Sequence, residues 1–123
     1  MGKALFITGT GTDIGKTYVT GLIVKKLRGA GLRAGYYKAA LSGAEVGADG
    51  QLLPGDALHV AQVAQLAPED TRVSYIYRDA VSPHLAARIE NRPMDFDVVE
   101  RDYRMAKART DYLTVEGSGG IIC

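Results

Sequence analysis

The chain has little with which to crosslink, chelate or anchor itself. Its 123 residues include one cysteine, Cys123, and two histidines. A lone cysteine excludes an internal disulfide and a cysteine-based metal site, and its place at position 123 argues against a nucleophile. Charge of one sign is scarce as well: 15 lysines and arginines stand against 14 aspartates and glutamates, a net charge of +1. That balance gives no reason to invoke nucleic acid or an anionic membrane. The seven tyrosines show no stacking pattern of the kind that reads single-stranded nucleic acid. The first apolar run, Ala4-Leu5-Phe6-Ile7, is too short for a signal peptide or a membrane span, so a cytoplasmic protein is expected. Met1-Gly2 opens as a myristoylation motif would, but position 6 is Phe6 rather than Ser or Thr. No internal repeat or low-complexity tract is present. What remains is 46% hydrophobic and 24% charged, enough for one modest globular domain over 1–123.

The informative stretch is Gly9-Thr10-Gly11-Thr12-Asp13-Ile14-Gly15-Lys16-Thr17. It follows Ala4 to Ile7, which reads as a short buried strand, and precedes Tyr18 to Ala30, where Val19, Leu22, Ile23 and Leu27 fall at helical spacing. Strand, glycine-rich loop, Gly-Lys-Thr and helix together make a phosphate-binding P-loop. Glycines let backbone N–H groups turn toward an anion, and the helix presents its positive end to it. Lys16 would reach the β- and γ-phosphates of a nucleotide such as ATP, and the Thr17 hydroxyl would ligate Mg²⁺. The match is a variant: Thr10 holds the place of the usual first glycine, and Gly9 lies one residue further back.

Downstream, strand 1 is expected over Lys3 to Thr8, helix 1 over Lys16 to Gly29 and strand 2 over Arg33 to Lys38. That order is a βαβ unit with a parallel sheet and right-handed crossover. Leu41 to Gly55, with four glycines and Pro54, reads as loop, and Asp56 to Leu66 as helix, with Leu58, Val60, Ala61 and Val63 available for burial. Val73 to Tyr77 alternates weakly, as a short strand or an extended segment. Pro83 to Asn91 and Phe96 to Ala108 are expected to be helical, and Tyr112 to Glu116 a buried strand ending in Gly117-Ser118-Gly119-Gly120. The fold class is therefore α/β: a P-loop nucleoside triphosphate hydrolase fold with an open, mainly parallel sheet flanked by helices. Three clear strands are few for such a sheet, and Ile121-Ile122-Cys123 starts a new apolar segment, so the chain is expected to be the N-terminal part of a longer one.

Further segments follow the P-loop in order: Gly35-Tyr36-Tyr37-Lys38-Ala39-Ala40-Leu41-Ser42-Gly43, Gly55-Asp56-Ala57-Leu58, Ser82-Pro83-His84 and Val115-Glu116-Gly117-Ser118-Gly119-Gly120. With the P-loop they resemble the dethiobiotin synthetase family, whose Gly-Thr-Asp-Thr-x-Val-Gly-Lys-Thr carries the same extra residue. Gly11 replaces that family's usual aspartate, Ile14 its valine, and Ala39 stands where proline is common. The resemblance implies ATP-dependent carboxylation of 7,8-diaminononanoate with CO₂ or bicarbonate, and ring closure to dethiobiotin in biotin biosynthesis, by a cytoplasmic homodimer using Mg²⁺.

By that resemblance Lys16, Lys38 and Thr12 are catalytic, and Asp13, Ile14, Gly15, Lys16, Thr17 and Tyr18 hold the nucleotide. Thr12, Lys38, Ser42, Gly117, Ser118 and Gly119 contact substrate, and Thr17, Asp56 and Glu116 bind the metal. Carboxylates are hard oxygen donors suited to Mg²⁺. Asp56 has a structural reading beside that one, since Gly-Asp before an apolar run is also an N-cap. Lys38 and Ser42 would otherwise be a surface lysine and a loop serine. His84, near a helix start, fits capping as well as catalysis, and His59 simply lies on its helix. Rival readings are a cobyrinate amidotransferase type of ATP-binding domain, a partner-regulated ATPase switch, and a nucleotide-binding remnant without turnover. The switch class has an additional lysine early in the loop, where Thr10 and Gly11 stand here.

Overall fold

Strands and helices follow one another along the chain in the order β1 (Lys3–Ile7), α1 (Asp13–Gly29), β2 (Ala34–Leu41), β3 (Glu45–Val46), β4 (Leu52–Leu53), α2 (Gly55–Ala64), β5 (Thr71–Ile76), α3 (Pro83–Ile89), α4 (Phe96–Arg109) and β6 (Tyr112–Glu116). They come from a computed structural model that describes residues 2–7, 13–41, 44–78 and 83–117, apart from the side chains at 13–16, 45, 56, 68, 83 and 84. β1, β6, β2 and β5 form one sheet in that order, and every pairing is parallel. Parallel neighbours need crossovers, and the crossover helices cover the two faces.

Alternation along β2 decides which side chain meets which layer. Ala34 and Tyr36 pack with Val24 of α1 and with Ala57, Val60 and Ala64 of α2. Tyr37, between them and Lys38, turns the other way and reaches Val99 of α4. The registers Ile7↔Glu116 and Tyr37↔Val115 bring Lys38 and Glu116 to the same level of the sheet, at its carboxyl end. Gly35 permits α4 to lie close: a β-carbon there would stand 2.7 Å from Thr110 Cγ2.

The helix ends follow one device. Gly31, at φ +85°, reverses the chain after α1, with Leu32 N–H donating to Leu27 O and Gly31 N–H to Arg28 O. Asn91, at φ 53°, ends α3 the same way through Arg92 N–H to Ala87 O. These are Schellman turns, and glycine or asparagine is favoured there because the position is left-handed. α4 begins on Asp95, whose carboxylate accepts the Asp97 N–H at 2.9 Å.

Several expectations need correction. The stretch from Leu41 to Gly55 is not plain loop; β3 and β4 pair antiparallel around a turn in which Gly50 has φ +83°. α1 starts at Asp13 rather than Lys16, because the last P-loop residues already take helical form. The buried stripe of α1 is Thr17, Thr20, Gly21 and Val24; Val19 and Leu22 are exposed. Leu58 on α2 is exposed also. β1 is not a buried strand: it has a strand neighbour on one side only among the described residues, and Phe6 is 60% exposed. The ambiguous segment before Tyr77 is a true strand, β5, because β2 supplies its partner.

Candidate functional site

α1 and α2 each leave the carboxyl end of a strand and return to the opposite end of the sheet, so they run side by side in the same direction. This aligns the P-loop helix with the helix that carries Asp56. A β-carbon built on Gly21 would lie 3.6 Å from Val63 and 3.8 Å from the His59 ring. One turn earlier on each helix are positions 17 and 56. Asp56 is not the N-cap of α2; Pro54 holds that place and makes no side-chain capping bond.

Glu116 closes β6 and is buried with its side chain fully shielded from solvent. Its Oε1 accepts three donors: Thr17 Oγ1 at 3.2 Å, Tyr36 Oη at 3.2 Å and Lys38 Nζ at 3.1 Å. Thr17, Lys38 and Glu116 come from three separate segments and converge on one carboxylate oxygen. The Lys38–Glu116 ion pair is buried on both sides, with side-chain exposures of 4% and 0%. A buried charge is tolerated when paired and hydrogen-bonded.

The second oxygen, Oε2, is buried with no hydrogen-bond partner. An orphaned buried acceptor is uncommon in folded proteins and calls for a specific partner. Beside a threonine hydroxyl, at the carboxyl end of a parallel strand, a hard divalent cation would satisfy that requirement. Among the described residues, which leave out the side chains at 13 and 56, no group of three or more His, Cys, Asp or Glu is clustered.

Gly117 donates its N–H to Ile7 O at 2.8 Å, extending the β1–β6 pairing, so that N–H is engaged within the sheet. Tyr18 is exposed on α1 next to buried Thr17. Thr12, Ser42, Ser118 and Gly119 lie outside the described residues, as do the side chains of Asp13, Ile14, Lys16, Asp56 and His84; Gly15 lies in the first turn of α1. His59 lies on α2 as expected, with its Nε2 buried and without a hydrogen-bond partner. Tyr36 is the participant that motif reading missed. The available signal was strand alternation: two residues before Lys38, it shares that lysine's face.

A family model described as an AAA domain matches residues 3–122. The ATP-dependent dethiobiotin synthetase BioD of Clostridium botulinum (strain Loch Maree / Type A3) is 55% identical over 125 residues, covering 100% of this chain and 54% of that protein. The protein of the same name from strain 657 / Type Ba4 is 56% identical with the same coverage. That of Brachyspira hyodysenteriae (strain ATCC 49526 / WA1) is 53% identical over 124 residues, again over 100% and 54%. The chain thus spans about half the length of the curated relatives it matches. Since the family match runs from the first strand past the last, the chain belongs to this AAA-domain family of P-loop proteins, and within it resembles dethiobiotin synthetases along its whole length.

Proposed function

We propose that this chain provides the phosphate- and metal-binding half of an ATP-dependent dethiobiotin synthetase, a cyclo-ligase of biotin biosynthesis. The observation that carries the reading is the Glu116 carboxylate, held by Thr17, Tyr36 and Lys38 through one oxygen with the other left open. It is supported by whole-chain similarity to proteins of that name.

One amine of 7,8-diaminononanoate adds to CO₂ and loses a proton to give a carbamate. A carbamate oxygen attacks the γ-phosphorus of ATP, breaking the bond to the bridging oxygen and releasing ADP. The second amine then attacks the carbonyl carbon of this mixed anhydride, closes the cyclic urea and expels phosphate. The protein's task is to align the carbamate with the γ-phosphate and to balance the charge that develops. Asp13, Ile14, Gly15, Lys16, Thr17 and Tyr18 hold the nucleotide, with Lys16 at the transferring phosphoryl group. Lys38, at the level of Glu116, orients the carbamate and γ-phosphate, while Thr12, Ser42, Gly117, Ser118 and Gly119 border the substrate. Thr17, Asp56 and Glu116 would hold Mg²⁺, which would supply charge to offset that of the phosphate oxygens. The working enzyme is a cytoplasmic homodimer acting on small molecules.

The test is phosphate release from MgATP by the full-length enzyme and by the 123-residue chain, with and without 7,8-diaminononanoate and bicarbonate. Release by the full-length enzyme that requires both compounds is the expected result. Release indifferent to both, or answering only to a protein partner, would replace the carboxylase reading with that of an ATPase switch.

A further inference from the structure

Three donors meet at Glu116 Oε1, but they are not equivalent. In the function proposed above, Thr17 offers its oxygen to the metal and Lys38 its charge to the phosphoryl group, so both have work elsewhere once nucleotide arrives. Tyr36 has none. Its ring is wholly buried, fixed among Val24, Ala34, Ala57 and Val60, and its hydroxyl lies 3.2 Å from Glu116 Oε1. A carboxylate on a flexible stem can present either oxygen, and a donor anchored in the core removes that choice.

We propose that Tyr36 is a positioning residue: its hydroxyl holds Glu116 by Oε1 and so reserves Oε2 for the divalent cation. This rests on the reading of Glu116 as a metal ligand. Tyr36 touches neither metal nor substrate; it acts through Glu116. The preceding fold features make the arrangement possible. Position 36 is two residues below Lys38 on β2 and pairs across the sheet with Thr114, two residues below Glu116 on β6. A side chain as long as tyrosine is needed to span that step.

The experiment is Mn²⁺ titration of the full-length protein with saturating ADP, following free Mn²⁺ by electron paramagnetic resonance. Tyr36→Phe is compared with wild type, with Thr17→Val and with Tyr37→Phe. Thr17→Val removes a metal oxygen without stranding a charge, and Tyr37→Phe removes an equally internal hydroxyl on the other sheet face. Tyr36→Phe is expected to weaken Mn²⁺ binding by about tenfold, the lower end for outer-shell partners of metal ligands. ADP affinity without metal should stay within about twofold of wild type, and Tyr37→Phe should leave Mn²⁺ affinity unchanged. If Thr17→Val weakens Mn²⁺ binding and Tyr36→Phe does not, the positioning role is wrong while the metal site stands. If Tyr37→Phe weakens it as much as Tyr36→Phe, the effect is general loosening of the sheet and the proposal is overturned. If Thr17→Val is silent as well, the metal reading itself falls and takes the proposal with it.

Discussion

Tyr36 and Tyr37 are neighbours in β2 facing opposite sides of the sheet, and each hydroxyl joins a network built on one buried carboxylate. On the α1 side, Glu116 crowds three donors onto Oε1 and leaves Oε2 bare. On the α4 side, Asp102 is used on both oxygens: Arg72 reaches Oδ1 at 2.8 Å and Ser74 donates to Oδ2 at 2.8 Å. With its proton committed to Asp102, Ser74 accepts from Tyr37 at 2.6 Å, and Tyr37 also lies 3.3 Å from Val99 O. The closed network joins β2, β5 and α4. An unmatched buried acceptor costs about 1–3 kcal/mol, so a network serving stability alone would be completed as Asp102's is. The open one has the form of a site that waits for a ligand. Two carboxylates of similar burial thus differ in what is left unsatisfied, and of the two only Glu116 keeps an oxygen open to a ligand.

The largest effect that would break this contrast is on turnover. Lys16→Ala should lower ATP-dependent carboxylation by at least about a hundredfold, the usual cost of removing a group aimed at developing charge, with little change in melting temperature. Undiminished carboxylation would remove the P-loop from the mechanism. Glu116→Gln comes next and should act twice. It raises the Mg²⁺ concentration needed for half-maximal activity, and it breaks the buried Lys38–Glu116 ion pair, destabilising the fold by about 3–5 kcal/mol. A urea titration and a Mg²⁺ titration of the same variant measure the two effects, and stability lost without any shift in Mg²⁺ requirement would make Glu116 as structural as Asp102.

The P-loop, the parallel α/β sheet and the triad Thr17, Lys38 and Glu116 were readable from sequence because each lies in a short segment whose chemistry is local. A lysine at a strand end and an acid before a glycine run keep their meaning without knowledge of the fold. Tyr36 was not readable in that way, since its role depends on a register between β2 and β6, strands separated by most of the chain. The spacing along α1 marks a helix but not its buried face, for a related reason. Val19 and Leu22 satisfy helical spacing, but the face turned inward is set by the small and polar Thr17, Thr20 and Gly21, which let α2 approach. The hairpin β3–β4 hid among glycines that signal loop whether or not two residues on each side happen to pair.

Asp102→Asn sharpens the comparison from the structural side. It leaves an amide group where a donor now meets oxygen, and should cost about 1–3 kcal/mol in urea unfolding while leaving the Mg²⁺ requirement untouched. A shift in that requirement would couple the two faces of the sheet and undo the division between them.

The smallest effect is the one that isolates Tyr37. Burial is the chief cause that pushes its hydroxyl above the ordinary 10.0, helped by the charge of Asp102 and opposed by that of Arg72. The folded chain therefore holds this proton after the unfolded chain has lost it. Tyr37's contribution to stability is complete below pH 10 and is lost as pH rises through the higher folded value. Tyr37→Phe should lower stability by about 1 kcal/mol at neutral pH, through the lost hydrogen bonds. Phenylalanine has no proton to lose, so the difference between variant and wild type should shrink between neutral pH and a pH above the folded value. Urea unfolding of both proteins at the two pH values decides it. A gap that stays constant would mean that the hydroxyl ionises as readily in the fold as outside it, and that the Asp102 network is less closed than its geometry implies.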